Sequence, residues 1–427
     1  MTSTAATPAT GLSLAPFRAL RPAATGEPLA RRLSPPYDVI TPDERGRLLA
    51  GDPDNVVGVI LPDQLRGPQA YAEAAATLQG WVDSGAYAAD AEPALYVYEL
   101  RDRDGAVTRG LVGAVELHDP ADGVILPHEN TMAGPVADRL ALMTATEADL
   151  EPIYLVYSGD GPAAALVREI GSRPPLVEAT TPDGVGHRLW SVTDPAAHAL
   201  IADDLATHRA VIADGHHRYA TYRERQRLMR AEHGPGPWDR GLALLVDTSR
   251  YGPQVHPIHR TVPDLALDTA ADALLRAGAD VREVADLTAA RDALTSPGPF
   301  VLALADGIRQ VVVTDPAGAL QAAAERPGEI DALSALDVTI LHRAVIEQAW
   351  GLTDDEHRVG YAHSVDEALA AATAGDGIAV LIRATPVADV AAVAEAGGRM
   401  PRKSTLFTPK PASGLLMRRF ADQLDPI

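Results

Sequence analysis

The stretch Ala210-Val-Ile-Ala-Asp-Gly-His-His-Arg-Tyr-Ala220 decides how this chain is read. Ala210 to Ala213 are small or apolar and read as a buried strand, which Asp214-Gly215 breaks. From Tyr219 to Met229, Arg, Glu, Leu and Ala alternate at helical spacing. The polar groups therefore sit at a strand-to-helix corner, where the first N–H groups of a helix and its dipole favour an anion. Asp214, His216, His217 and Arg218 supply a metal-capable carboxylate, two imidazoles and a guanidinium fork, a set suited to phosphate. A plainer reading stays open: Asp214 caps the helix, Gly215 supplies the turn and Arg218 pairs with a surface carboxylate. Adjacent residues on a helix point about 100° apart, so His216 and His217 are not expected to chelate one metal together.

Composition narrows the function classes. The 427 residues carry 37 Lys plus Arg against 58 Asp plus Glu, a net charge of −21. That balance argues against nucleic acid or an anionic membrane as a partner, because phosphate surfaces require a basic footprint. With no cysteine, disulfides, thiolate metal sites and cysteine nucleophiles are excluded. No apolar run approaches the ~20 residues of a membrane helix, and Met1 to Thr10 has no basic leader, so a cytoplasmic protein is expected. A homodimer is allowed, but apolar dimer faces are not visible in sequence.

Length favours two packed units. Residues 1–12 read as a frayed tail, 13–260 as a first domain, 261–397 as a second α/β domain and 398–427 as a strap returning to the site. Within the first, Asn55 to Leu61 reads as a strand and Pro68 to Tyr87 as an amphipathic helix. Leu95–Leu100 and Val107–Leu117 flank Asp102-Arg-Asp-Gly105, a hairpin signal. A helix running to about Asp149 precedes a strand at 152–157. Strands at 187–192, 210–213 and 242–247 then alternate with helices at 195–205 and 219–233. The second set has helices near 266–277, 333–350 and 365–374, and strands near 299–305, 309–314 and 378–383. Such alternation predicts an α/β fold of mixed sheets covered by helices.

Other polar clusters admit two readings each. His128-Glu129 lacks the second histidine of a zinc helix, since position 132 is Met. Glu129 is then a candidate general base or a solvated loop carboxylate. Thr131, Asp138 and Arg139 either complete a polar rim or include a simple surface charge pair. Arg402-Lys-Ser-Thr405 offers cations and hydroxyls for phosphate but lacks the glycine-rich lead of a P-loop. Ser34-Pro-Pro-Tyr-Asp38 reads as a rigid strap more than as a pocket wall. His259-Arg260 adds an imidazole and a guanidinium.

Several of these motifs occur together in one order. Pro35-Pro-Tyr-Asp-Val-Ile40, His128-Glu-x-Thr131 with Asp138-Arg139, and Ala213-Asp-Gly-His-His-Arg-Tyr219 come first. His259-Arg260, Met400-Pro-x-Lys-Ser-Thr405, Pro409-Lys-Pro411 and Ser413-Gly414 follow. In this the chain resembles, over almost its whole length, the bacterial and archaeal family labelled domain of unknown function 1015. The Asp-Gly-His-His-Arg box is in turn similar, over about ten residues, to the phosphate-binding box of the ParB N-terminal fold, shared with sulfiredoxin and a free serine kinase. Sulfiredoxin chemistry needs a cysteine, and no helix-turn-helix for DNA is evident. The resemblance implies a ParB-like nucleotide-binding fold and a nucleotide-dependent phosphotransferase acting on a small hydroxyl metabolite, L-serine first. The alternative is a CTP- or ATP-binding switch, or slow nucleotidase, acting through a protein partner.

On that reading Gly215, His216, His217 and Arg218 hold nucleotide phosphates, with Lys403, Ser404 and Thr405 clamping them. Asp214 binds Mg²⁺, which accompanies ATP or ADP (or CTP), or orients the acceptor, and Glu129 accepts its proton. Arg139 holds the acceptor's carboxylate, and His128, Thr131, Asp138 and Tyr219 complete the substrate site.

Overall fold

The computed structural model of the protein describes residues 11–424, except 297, 299 and 354–357. Residues 1–10 of the expected tail lie outside the described residues. Gly11 and Leu12 do not belong to a frayed end. Leu12 is buried, and its N–H donates to the carbonyls of Leu205 and His208.

The chain divides into two compact units, one of residues 1–127, 131–253 and 409–427, the other of 128–130 and 254–408. The first is built on a mixed sheet of nine strands among the described residues. In chain order these are β1 (Leu14–Ala15), β2 (Leu95–Arg101), β3 (Val107–Glu116), β4 (Ile125–Leu126), β5 (Ile153–Tyr157), β6 (Val177–Thr180), β7 (Gly186–Val192), β8 (Ala210–Asp214) and β9 (Arg240–Asp247). Their spatial order is β4-β8-β5-β9-β3-β2-β7-β6, with β1 alongside β3. Only the β4–β8 and β5–β9 pairs are parallel. Helices α1 (Pro68–Asp83), α2 (Ala133–Thr146), α3 (Pro162–Ile170), α4 (Pro195–Leu205) and α5 (His216–His233) complete this unit's main framework. Leu155, Ile212 and Leu245 of the sheet and Leu205 and Tyr222 of the helices share one buried core, each large side chain contributing about 1.5–3 kcal/mol by burial.

The hairpin forms as its turn sequence dictates. Asp102 Oδ1 accepts from the N–H groups of Asp104 (3.0 Å) and Ala106 (2.8 Å). Gly105 takes the left-handed φ of 86° that the turn requires. The strand expected at 55–61 is instead a helical turn, Val57–Ile60. The fully buried Asn55 explains the difference. Its Oδ1 accepts from Val57 N–H (2.9 Å), starting the turn, while its Nδ2 ties down the carbonyls of Arg31 and Leu33. A local side-chain cap thus overrides a β-branched run. The helix expected from Tyr219 begins three residues earlier, at His216.

The second unit has a separate six-stranded antiparallel sheet: β10 (His259–Val262), β11 (Asp280–Val284), β12 (Val301–Ala305), β13 (Gln310–Thr314), β14 (Gly360–Ala362) and β15 (Ile378–Ile382), ordered β11-β13-β12-β15-β10-β14. The single helix expected at 333–350 is three pieces, ending in a π-helical run Leu341–Ala349. No helix among the described residues is long and apolar enough to cross a membrane.

Gly110 of β3 illustrates how tightly the first sheet is closed, since a Cβ there would lie 2.3 Å from the Leu245 carbonyl oxygen. Gly110→Ala is expected to cost about 1–3 kcal/mol through the strand shift it forces. Gly46→Ala, in the helix Pro42–Gly51 with open space around it, is expected to be stabilising by roughly 0.4–1 kcal/mol. Urea denaturation of both variants against wild type measures the contrast.

Candidate functional site

The β8–α5 corner is a sharp turn made possible by Gly215, whose φ of 92° is left-handed. A Cβ at that position would come within 3.0 Å of the Arg218 side chain. Immediately before it, Asp214 is held by two cations. Arg218 donates through Nη2 to Oδ2, and Lys410 donates through Nζ to Oδ1. Arg218 also donates to the Pro152 carbonyl and is only 1% exposed. Burial pushes the Asp214 carboxyl up, but Lys410 and Arg218 outweigh it and hold it below the usual carboxylate range. Burial works against the charge of Lys410 as well, and Asp214 with Asp38 more than restores it.

Lys410 was not among the residues singled out for phosphate, although Pro409-Lys-Pro411 was a legible motif. Two prolines fix the backbone on either side of the lysine. Beyond them Ala412 N–H donates to the Tyr98 hydroxyl oxygen (3.2 Å), and the Tyr98 hydroxyl meets His187 Nδ1 at 2.8 Å. Burial lowers the His187 pKa to about 4, so the ring is neutral near pH 7. Ser413 pairs with Ser34 through the backbone, and its hydroxyl donates to Glu151 (2.8 Å). The strap at Ser34-Pro-Pro-Tyr37 and the C-terminal strap are therefore stitched to each other.

Glu151, which the sequence did not single out, and Tyr37, which it named only within the strap Ser34–Asp38, lie close to these groups. Glu151 is buried, accepts from Tyr37 N–H (3.0 Å), and burial raises its pKa despite the nearby Arg218 and Arg139. Tyr37 lies against the Arg139 guanidinium, 4.1 Å from its ring centroid. Burial raises the pKa of its hydroxyl as well, with the charge of Asp38 adding to the effect. Asp38 is exposed and acts electrostatically on Tyr37, Arg218 and Lys410.

Several expected roles change with this geometry. Arg139 is 2% exposed and directs Nε and Nη2 to Asp138 (2.9 and 2.6 Å) and Nη1 to the Ile60 carbonyl. Each of its three nitrogens thus donates within the protein, and the buried fork is not presented to an acceptor's carboxylate. Asp138–Arg139 is likewise no surface pair, and Asp138 also accepts from the Tyr71 hydroxyl (2.6 Å). Tyr219 is a core residue whose hydroxyl donates to the His118 carbonyl (2.6 Å). His217 Nε2 accepts from Met132 N–H (3.1 Å), just after the exposed Thr131, and His216 is buried at the helix start. Asp214 does not fit as a Mg²⁺ ligand, because both its oxygens already face cations. Among the described residues no group of three His, Asp or Glu is placed to hold a metal ion.

The second unit assembles its own cluster. His128 is fully buried, its Nε2 meets Thr405 Oγ1 at 3.1 Å, and its carbonyl accepts from Met400 N–H. Arg260, also fully buried, donates to the carbonyls of Lys403 (2.9 Å) and Arg402 (3.3 Å) and meets His342 Nε2 at 2.9 Å. Ser404 is buried and donates to the Pro401 carbonyl, while Arg402 and Lys403 are exposed. Lys403 has a left-handed φ of 52°. Glu129 is half-buried in the segment 128–130 of this unit.

The chain belongs to the family described as protein of unknown function DUF1015, whose model matches residues 14–339. No curated protein matches it. Three solved structures are similar. A mutant free serine kinase in complex with ADP is 13% identical over 67% of this chain and 84% of that one, with a TM-score of 0.35. A conserved hypothetical protein from Pyrococcus furiosus is 17% identical over 70% and 94%, with a TM-score of 0.32. A C-terminally truncated SbnI from Staphylococcus aureus is 9% identical over 74% and 90%, with a TM-score of 0.37.

Two outcomes follow from the corner itself. Asp214→Ala leaves the buried Arg218 and the half-buried Lys410 without the carboxylate they share and is expected to cost about 3–5 kcal/mol. The double variant with Lys410→Met is expected to recover part of this, as read by thermal and urea unfolding. Glu151 provides a pH test. Its unfolded pKa is about 4.3 and its folded pKa is higher, so the folded state keeps a proton that the unfolded state loses. Its contribution is therefore full below the unfolded value and is lost as pH rises through the folded one. Glu151→Gln is expected to gain stability relative to wild type as pH climbs from about 4 toward neutrality. Parallel stability–pH curves for the two proteins contradict this.

Proposed function

We infer that the first unit binds the phosphates of a nucleotide at the N-terminus of α5 and transfers a phosphoryl group to a small hydroxyl metabolite, with L-serine the leading acceptor. The observation that carries the reading is Lys410, a lysine fixed between two prolines beside Asp214 and the Gly215 turn, its side chain 17% exposed. An ammonium has three donors. One faces Asp214, and the others can reach phosphate oxygens held beside the start of the helix, where its dipole favours negative charge.

Arg218 has a different part from the one its sequence suggested. Being buried, it fixes Asp214, and Asp214 in turn fixes Lys410. Phosphoryl transfer asks mainly for such positioning and charge neutralisation. The acceptor hydroxyl oxygen bonds to the terminal phosphorus, the bond to the bridging oxygen breaks, and the shortened nucleotide leaves. The hydroxyl proton passes to a carboxylate, and Asp38, exposed beside Lys410, is the group assigned to it. The engagement of Arg139 by Asp138 and Ile60 favours a second reading, in which the corner binds ATP or CTP as a switch for a protein partner and no acceptor enters.

Phosphorus NMR with Mg²⁺ and ATP, ADP or CTP, each with and without L-serine, tests both. A phosphomonoester signal appearing only with serine is the expected result. Lys410→Met is expected to lower its rate by about 10²–10³-fold, the usual loss when a charge-stabilising donor is removed. Asp38→Asn is expected to lower it too, with Glu129→Ala as the comparison. A nucleotide-induced thermal shift without turnover supports the switch, and unaltered turnover in Lys410→Met overturns the assignment.

A further inference from the structure

A cavity of about 450 Å³ lies in the first unit and shares no residue with the corner around Asp214. Arg18, Arg240 and Arg418 line it together with apolar groups that include Phe17, Pro237 and Leu424. Its volume is within the roughly 300–1,000 Å³ of small-molecule sites.

The charges around it do not cancel. Arg418, 3% exposed, pairs with Asp149 at 2.9 Å and donates to the Pro237 and Arg240 carbonyls. Arg225 is buried against the same Asp149 at 3.3 Å, so two guanidinium groups share one carboxylate. Arg240 reaches Glu116 only at 3.8 Å and otherwise donates to Ser13 Oγ and the Ala114 carbonyl, both at 3.2 Å. No described carboxylate pairs with Arg18, whose backbone is clasped by the Gln423 amide. The other acids at hand are matched, Asp422 with Arg419 at 2.7 Å and Asp239 with Arg230. Three arginines, Arg18, Arg240 and Arg418, thus line the cavity with one carboxylate, Asp422, which Arg419 already matches, in a protein of net charge −21. Burial lowers the pKa of Arg240; Glu116 opposes this, and Arg418 adds to it.

We propose that this cavity is a second ligand site, taking a small metabolite whose compact, multivalent oxyanion meets Arg18 and Arg240 while its carbon body lies on the apolar wall. Guanidinium forks suit phosphate and carboxylate oxygens alike, so phosphomonoesters and di- or tricarboxylates share the required chemistry. An anion entering here relieves the repulsion between Arg240 and Arg418, which a neutral ligand does not.

Thermal-shift and calorimetric titrations with inorganic phosphate, glycerol phosphate and citrate, each against sodium chloride at equal ionic strength, test the proposal. At least one probe is expected to bind wild type and Lys410→Met equally, the latter variant separating this site from the β8–α5 corner. Arg18→Gln and Arg240→Gln are each expected to weaken that binding by roughly tenfold or more. Arg18→Gln removes no ion pair of the fold, so it keeps the test valid if Arg240→Gln unfolds. Preference for citrate over the phosphates assigns the carboxylate class, and the reverse assigns the phosphate class. Absence of any effect beyond sodium chloride, or binding lost in Lys410→Met but kept in Arg18→Gln, overturns the proposal.

Discussion

A carboxylate removed from water must be matched, and the matching of Asp214 governs much of the first unit. A lone buried carboxylate is too costly to keep ionised. Asp214 therefore needs Arg218 from the following helix turn and Lys410 from almost two hundred residues further along the chain. The first partner requires Gly215, because only a left-handed residue there lets the guanidinium fold back over the turn. The second requires the C-terminal segment to return to the sheet, where Tyr98, Glu151 and Ser34 hold it. One electrostatic requirement thus reaches from a local dihedral angle to the path of the segment Lys410–Ser413.

The second unit solves a related problem with the same residue type. Arg260, buried, gathers the carbonyls of Lys403 and Arg402, and so shapes a turn whose lysine adopts a strained left-handed backbone. A planar fork with five fixed donors can satisfy several oxygens at once, which a lysine ammonium on a flexible stem cannot do in a fixed arrangement. In both units the buried arginine is a scaffold and the lysine is the more exposed cation. Motifs rich in Arg, Lys and His invite the assumption that every cation meets the ligand, and burial separates those that do not.

Much of the architecture was readable from pattern alone. The hairpin at Asp102–Gly105, strand Ala210–Asp214 and helix Pro195–Leu205 follow from period and turn chemistry, which act locally. What was not readable depended on distant partners. The helical turn at Val57 follows from an asparagine whose amide ties down the carbonyls of Arg31 and Leu33. Arg139 reads in sequence either as part of a polar rim that holds a substrate carboxylate or as half of a surface charge pair, and only its packing against Tyr37 and Ile60 shows it to be internal. The candidate corner was visible in Asp214 to Arg218, whereas Lys410 and Glu151 became visible only when the chain closed on itself. Pro409-Lys-Pro411 did carry a signal, since a lysine between two prolines is a charge on a rigid mount.

The raised pKa of Glu151 bears on the charge balance of the corner. With Glu151 ionised, Lys410 and Arg218 would face three carboxylates, Asp38, Asp214 and Glu151, and further negative charge would be repelled. Burial raises the Glu151 pKa and so favours its neutral form over the charged one. Arg139 does not alter the count, because Asp138 already neutralises it. Apart from Glu151, the two cations Lys410 and Arg218 are matched in number by the two carboxylates Asp214 and Asp38. A buried acid that accepts hydrogen bonds from both straps, from Tyr37 N–H and from the Ser413 hydroxyl, thus serves the fold as a joint.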